Sequence, residues 1–175
     1  MTKNLPLFGR QTFAAKVAVS FATIAALLTL SGPATAELLY GKVVGVSDGD
    51  TITVLDSANM PHKIRLNQID APEKRQDFGQ RSKQSLSDLV FGRNVQVDVS
   101  TRDRYGREIG QVLVNGTDAN LEQVKRGLAW VYRRYAKDRA YFAAEEAARA
   151  IRIGLWSQPN PTPPWEFRHT RRVSQ

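Results

Sequence analysis

Five short stretches in which apolar residues recur at every second position, each closed by turn-forming residues, constrain this chain more than any other feature. Leu38 to Ser47 alternates, with Leu38, Tyr40, Val44 and Val46 on one parity, and stops at Asp48-Gly49-Asp50. Thr51 to Asp56 puts Ile52 and Val54 on one face. Ser57-Ala58-Asn59-Met60-Pro61 then turns the chain into His62 to Ile69, where Ile64 and Leu66 alternate with Lys63, Arg65 and Asn67. Val95, Val97 and Val99 alternate with Gln96, Asp98 and Ser100. After Arg104-Tyr105-Gly106 a fifth strand is predicted over Glu108 to Val114, ending at Asn115-Gly116.

Between the third and fourth of these strands the period changes. Gln80 to Phe91 sets Leu86, Leu89 and Val90 on one helical face, with Gly92 where a helix C-terminus favours it. Beyond the fifth strand, Leu121, Val124 and Leu128 follow a cap at Asp118, and Tyr141, Ala144, Ala148, Ile151 and Leu155 form a longer stripe closed by Gly154. The order βββαββαα fits an α+β fold, a five-stranded OB-type Greek-key barrel with three helices.

Residues 1–36 read differently. Lys3, Arg10 and Lys16 precede an acid-free apolar run, Val17 to Leu30, and Ala34-Thr35-Ala36 follows, the layout of a secretory signal peptide cleaved after Ala36. The run is interrupted by Ser20, Thr23 and Thr29 and is shorter than the roughly 20 apolar residues a membrane span needs. A periplasmic or secreted product without a stable membrane anchor is expected. With no cysteine anywhere, lipoprotein anchoring is excluded and the core alone must hold the fold. The remainder suits one domain over 37–157, expected to be a monomer. From Gln158 the composition shifts to Pro159, Pro161, Pro163 and Pro164, and Arg168, Arg171 and Arg172 follow, so 158–175 reads as a stiff Pro-rich linker and basic tail without a fold of its own. The full chain carries a net charge of +8, of which Lys3, Arg10 and Lys16 belong to the leader, and the remaining charge of about +5 suits a polyanionic partner.

Three polar clusters interrupt the apolar pattern: Asp48-Gly49-Asp50-Thr51, Ile64 to Glu73, and Asp103-Arg104-Tyr105-Gly106-Arg107. Each alone is an ordinary turn or strand end, and their combination is the signal. Phosphodiester hydrolysis needs charge neutralisation, an activated water, and donors that tighten in the transition state. Asp50 and Asp70 are hard oxygen ligands suited to Ca²⁺, and Pro72 biases Ala71 toward an extended backbone whose carbonyl could face the same ion. Arg65, on the polar parity of its strand, and Arg107, after a glycine turn, offer forked donors that a lysine cannot duplicate.

Over Leu38 to Trp156 the chain resembles the staphylococcal nuclease (thermonuclease) family. The resemblance implies Ca²⁺ bound by Asp50, Asp70 and the Ala71 carbonyl, Glu73 as general base, and Arg65 and Arg107 stabilising the transition state. It also implies hydrolysis of DNA and RNA at the P–O5′ bond, leaving 3′-phosphate ends. Tyr105 matches a tyrosine near the 5′-phosphate of a bound nucleotide, with Arg104 in place of the family's neighbouring lysine. Ala71 replaces a threonine, and the loop after the glutamate is shortened to about Lys74 to Gly79. Arg133 stands where the family stacks a tyrosine on the base, with Tyr132 and Tyr135 beside it as substrate contacts.

Other residues read as structural. Trp130, Trp156 and Phe142 suit core packing, Glu145 and Arg149 an exposed i,i+4 pair, and His62 a strand surface. Two isolated histidines, His62 and His169, and no cysteine exclude a zinc site. The competing readings are a catalytically silent OB-type binding module and an envelope protein anchored by its Pro-rich tail. The first would bind nucleic acid without cleaving it.

Overall fold

The computed structural model describes Met1 and residues 37–173, with side chains as far as Thr170. The signal-peptide reading lies outside the described residues. The described residues from Glu37 onward form one compact unit. Its elements run β1 (Glu37–Asp48), β2 (Thr51–Leu55), β3 (Pro61–Leu66), β4 (Ile69–Asp70), α1 (Gly79–Val90), β5 (Asn94–Arg102), β6 (Glu108–Val114), β7 (Thr117–Asp118), α2 (Ala119–Lys125), β8 (Trp130–Val131), α3 (Arg139–Ala150) and α4 (Pro164–Val173), with a 3-10 turn at Gly154–Ser157.

The sheet order is β3-β2-β1-β5-β6-β7, and a parallel pairing of β3 with β6 joins its ends into a five-stranded barrel. This is the α+β, OB-type class expected from the strand pattern. β1 reaches both neighbours because it is long and bends. Two register shifts, at Val43/Gly45 and Val46/Asp48, let it pair with β2 at one end and β5 at the other. The bend changes which parity faces inward. Leu38, Tyr40 and Val44 are exposed, while Val43 is fully buried. Position 41, on this inward parity, takes Gly because a Cβ there would overlap the Leu55 carbonyl.

Ile52, Val54, Ile64, Leu66, Val97 and Val112 fill the barrel, and Leu86 and Val90 of α1, Val124 of α2 and Tyr141 of α3 pack in the same core. Asp118 caps α2 as expected, accepting from the Leu121 N–H, and its carboxylate also takes the Tyr141 hydroxyl at 2.7 Å. A smaller cluster joins Trp130, Ala148, Leu155 and Trp156, with Trp165 against it. The structural reading of Trp130 and Trp156 therefore holds.

Three further expectations need correction. The third predicted helix ends at Ala150. Arg152 and Gly154 take positive φ, so Leu155 enters the core from the 3-10 turn and Ile151 is exposed. Glu145 is buried rather than on an open surface, accepting from the Val131 N–H at 2.9 Å and pairing with Arg133 and Arg149. Finally, the stretch read as linker and tail contains a fourth helix, α4. Pro164 opens it, where a missing N–H costs nothing, and Trp165 supplies an apolar anchor against Trp130. No helix among the described residues is long and apolar enough to cross a membrane.

Candidate active site

The turn between β1 and β2 carries Asp50 and is held from below by two helices. Gly49 packs so closely on α1 that a Cβ would overlap the Ser82 hydroxyl. Gln123 of α2, fully buried, donates from Nε2 to the carbonyls of Gly49 and Ser82, both at 2.9 Å. Asp50 then ties the turn to the exit of β3. Its carbonyl accepts from the Leu66 N–H at 2.8 Å, and its Oδ2 from the Ala71 N–H at 2.6 Å. Asp70 lies in β4, whose pairing with Trp130 of β8 fixes it, and is almost completely buried.

Arg65 of β3 joins the two carboxylates. Its Nη2 lies 3.1 Å from Asp50 Oδ2 and 3.0 Å from Asp70 Oδ1, and its Nη1 donates to the carbonyls of Leu66 and Ile69 at 2.7 and 2.9 Å. Both terminal nitrogens are thus engaged by protein oxygens. The side chain leaves the barrel's polar face, as its parity requires, yet is only 12% exposed because it curls under the β3–β4 loop. Burial pushes the Asp50 carboxyl up to about 7, against the pull of Arg65. Two buried acids around one guanidinium would leave a surplus of negative charge, and in this structure Arg168 of α4 relieves it.

Glu73 follows across Pro72, its N–H donating to Gln76 Oε1 at 3.2 Å and its side chain half-exposed. Arg168 of α4 reaches it. Nη1 of Arg168 lies 2.9 Å from Glu73 Oε1 and 3.2 Å from Asp70 Oδ1, and Nη2 lies 2.7 Å from Asp70 Oδ2. Desolvation is outweighed by these two carboxylates, which raise the Arg168 pKa further. The sequence marks Arg168 only as a residue of a basic tail and does not mark Gln123. The only cue to Arg168 is its spacing of three residues from Trp165 in a segment whose proline content masks a helix. Gln123 looks like any polar residue of a short helix.

The remaining predicted site residues form two further groups. Arg107 bonds Asp103 through Nε and Nη2, each 2.8 Å from Oδ2. Desolvation of Asp103 is outweighed by the Arg107 and Tyr105 N–H groups and the Arg107 guanidinium, which hold its carboxyl below the usual range. Tyr105 is exposed, with the guanidinium carbons of Arg104 and Arg107 4.9 and 5.7 Å from its ring centre. The parallel register of Arg65 with Ile109 sets the turn that carries Arg107, which ends just before β6, next to the strand of Arg65. Tyr132 and Tyr135 meet edge to face at 5.0 Å, and Trp165 lies flat against Tyr132.

The acids fit a hard cation. Asp50 and Asp70 converge on a single guanidinium nitrogen, and Arg168 already places positive charge on Asp70 and Glu73. Among the described residues no group of three or more His, Cys, Asp or Glu side chains gathers as metal ligands. The candidate donor set stays at two carboxylates and a backbone carbonyl, which suits an ion sharing its shell with water and substrate rather than a structural one.

Barrel and site together define an OB-type barrel protein with an arginine-bridged acidic cluster at the exit of its third strand. Residues 63–158 match the family described as staphylococcal nuclease homologue. The match includes every predicted site residue except Asp50. An uncharacterized endonuclease of Haemophilus influenzae is 46% identical over 133 residues, 76% of this chain and 75% of that protein. Protein ParB of Escherichia coli is 45% identical over 82% of this chain and 86% of its own length. A micrococcal nuclease of Shigella flexneri is 42% identical over 85% and 90%. The chain belongs to the staphylococcal nuclease family.

Proposed function

We propose that this protein is an exported, calcium-dependent nuclease, released by cleavage after Ala36, that hydrolyses DNA and RNA at the P–O5′ bond to leave 3′-phosphate ends. The observation that carries the reading is the convergence of Asp50, Arg65, Asp70 and Glu73 at one barrel edge in a chain of nuclease-family sequence. Asp50, Asp70 and the Ala71 carbonyl would hold Ca²⁺, which when bound supplies positive charge to the scissile phosphate. Glu73 takes the proton from the attacking water, and its partial exposure gives that water access. Arg65 holds the two acids at a fixed separation and adds its charge to the phosphate site. Arg107, in the turn that leads into β6, exchanges its pair with Asp103 for the phosphate. Tyr105 and Arg104 border the 5′-phosphate, and Tyr132 and Tyr135 offer faces to a base.

The test is cleavage of DNA and RNA by the purified protein with calcium, with magnesium and with chelator, beside Glu73→Gln. Calcium should support turnover and chelator abolish it. Magnesium should support little, because the smaller ion demands a stricter octahedron and keeps its waters. Glu73→Gln should lower kcat by about 10²- to 10⁴-fold while calcium-dependent nucleotide binding persists. Full activity in chelator would remove the metal from the mechanism, and a normal kcat in the variant would remove the base.

A further inference from the structure

The side chains of α4 that face the site occupy it in the manner of ligands. Trp165 lies 5.8 Å from Tyr132 with the rings 11° from parallel, and meets Trp130 edge-on at 5.7 Å. A flat aromatic plane on a half-buried tyrosine is how a nucleobase would sit there. Three residues on, and so on the same helical face, Arg168 spans both oxygens of Asp70 and reaches Glu73. A cation using either Asp70 oxygen, or a water approaching Glu73 Oε1, meets that guanidinium first.

We propose that α4 is a built-in plug: Trp165 mimics a stacked base and Arg168 a bound cation, so docking of the helix competes with nucleic acid and with calcium. The calcium half rests on the metal reading given above, whereas the nucleic-acid half stands on the aromatic geometry alone. The helix is held in a way that permits release. Its linker is tied at points, by Gln76 Nε2 to the Thr162 carbonyl at 2.6 Å and by Gln158 Nε2 to Asp77 Oδ2 at 2.9 Å. A cleft of about 420 Å³ bounded by Arg75, Leu155, Pro159 and Phe167 lies beside it. Arg168 itself is 36% exposed, and although Asp70 is buried, Arg65 stays on that carboxylate when Arg168 leaves. The family match also stops at residue 158, before α4 begins.

Three variants of the full protein separate the plug from its alternatives: Trp165→Ala, Arg168→Gln and the pair together. Calcium affinity is read by titration calorimetry, and the affinity of a fluorescein-labelled oligothymidylate in chelator by anisotropy. Each single variant should tighten both by several-fold, and the double by more. Trp165→Ala is decisive for calcium because it leaves every charge in place, so relief of simple repulsion cannot explain a gain. Arg168→Gln is decisive for the oligonucleotide, since losing a positive charge would otherwise weaken binding. Unchanged oligonucleotide affinity in both single variants overturns the proposal, and weaker binding would make α4 a substrate-binding arm. If no protein binds calcium yet the oligonucleotide tightens, the metal reading fails and the plug stands. If all bind calcium equally and the oligonucleotide is unaffected, the plug fails and the metal reading stands. Should Trp165→Ala melt below the working temperature, Trp165→Leu keeps an apolar anchor without a plane and answers the same question.

Discussion

Arg65 and Arg107 bring the same guanidinium into different surroundings, and a lysine at each should fail differently. Arg65 bridges two buried carboxylates and two carbonyls. A lysine's three donors on one nitrogen cannot reach that set, so Arg65→Lys should cost about 1–3 kcal/mol of stability and lower activity by loosening the acid pair. Arg107 spends its bonds on one partly exposed aspartate. Arg107→Lys should therefore leave stability within about 0.5 kcal/mol yet reduce turnover by orders of magnitude, because a forked transition-state contact is lost. Urea unfolding beside initial rates for both variants checks this, and equal stability losses would contradict it. The acids and arginines were legible as residue types in turns. That both ends of Arg65 would be taken up by the protein itself was not, because the carbonyls of Leu66 and Ile69 are invisible as partners in a sequence.

At the scale of elements, β3 is stapled to its neighbours by one titratable ring. His62 Nδ1 lies 3.2 Å from Glu108 Oε1 of β6, and Nε2 lies 3.3 Å from Asp56 Oδ2 of the preceding turn. Desolvation opposes its charging, but hydrogen bonds to Glu108 and Asp56 and the charge of both prevail and raise its pKa above the ordinary 6.5. A raised folded-state value means that the protonated staple stabilises fully below 6.5 and loses that contribution as pH rises through the higher folded value. Melting temperature should therefore fall over that window in the wild type more than in His62→Gln, and parallel profiles would argue against the staple. The barrel strands were readable because period-two alternation and turn residues agree. The inward parity of β1 was not, because two bulges rotate its faces, and α4 was not, because a helix of ten residues held by one tryptophan and one arginine leaves little periodic signal.

For the whole molecule, the net charge of about +5 that remains without Lys3, Arg10 and Lys16 of the leader predicts a dependence of nucleic-acid affinity on salt. A log–log plot of oligonucleotide binding against salt should fall by about 0.7 per phosphate contacted on a single strand, and a flat plot would point to recognition without phosphates. The candidate site was legible only as scattered clusters, since what assembles it is the pairing of β3 with β6, whose partners Ile64 and Glu108 lie on opposite sides of α1 in the chain. That seam also sets an order in time. Parallel pairing of distant segments must meet its loop-closure entropy before any contact rewards it, so it forms late in folding. Arg65 and the turn that carries Arg107 become neighbours only when the seam closes. A refolding chain would thus acquire its hairpins first and its ability to bind a phosphate last, and recovery of ligand binding would serve as a clock for the final folding step.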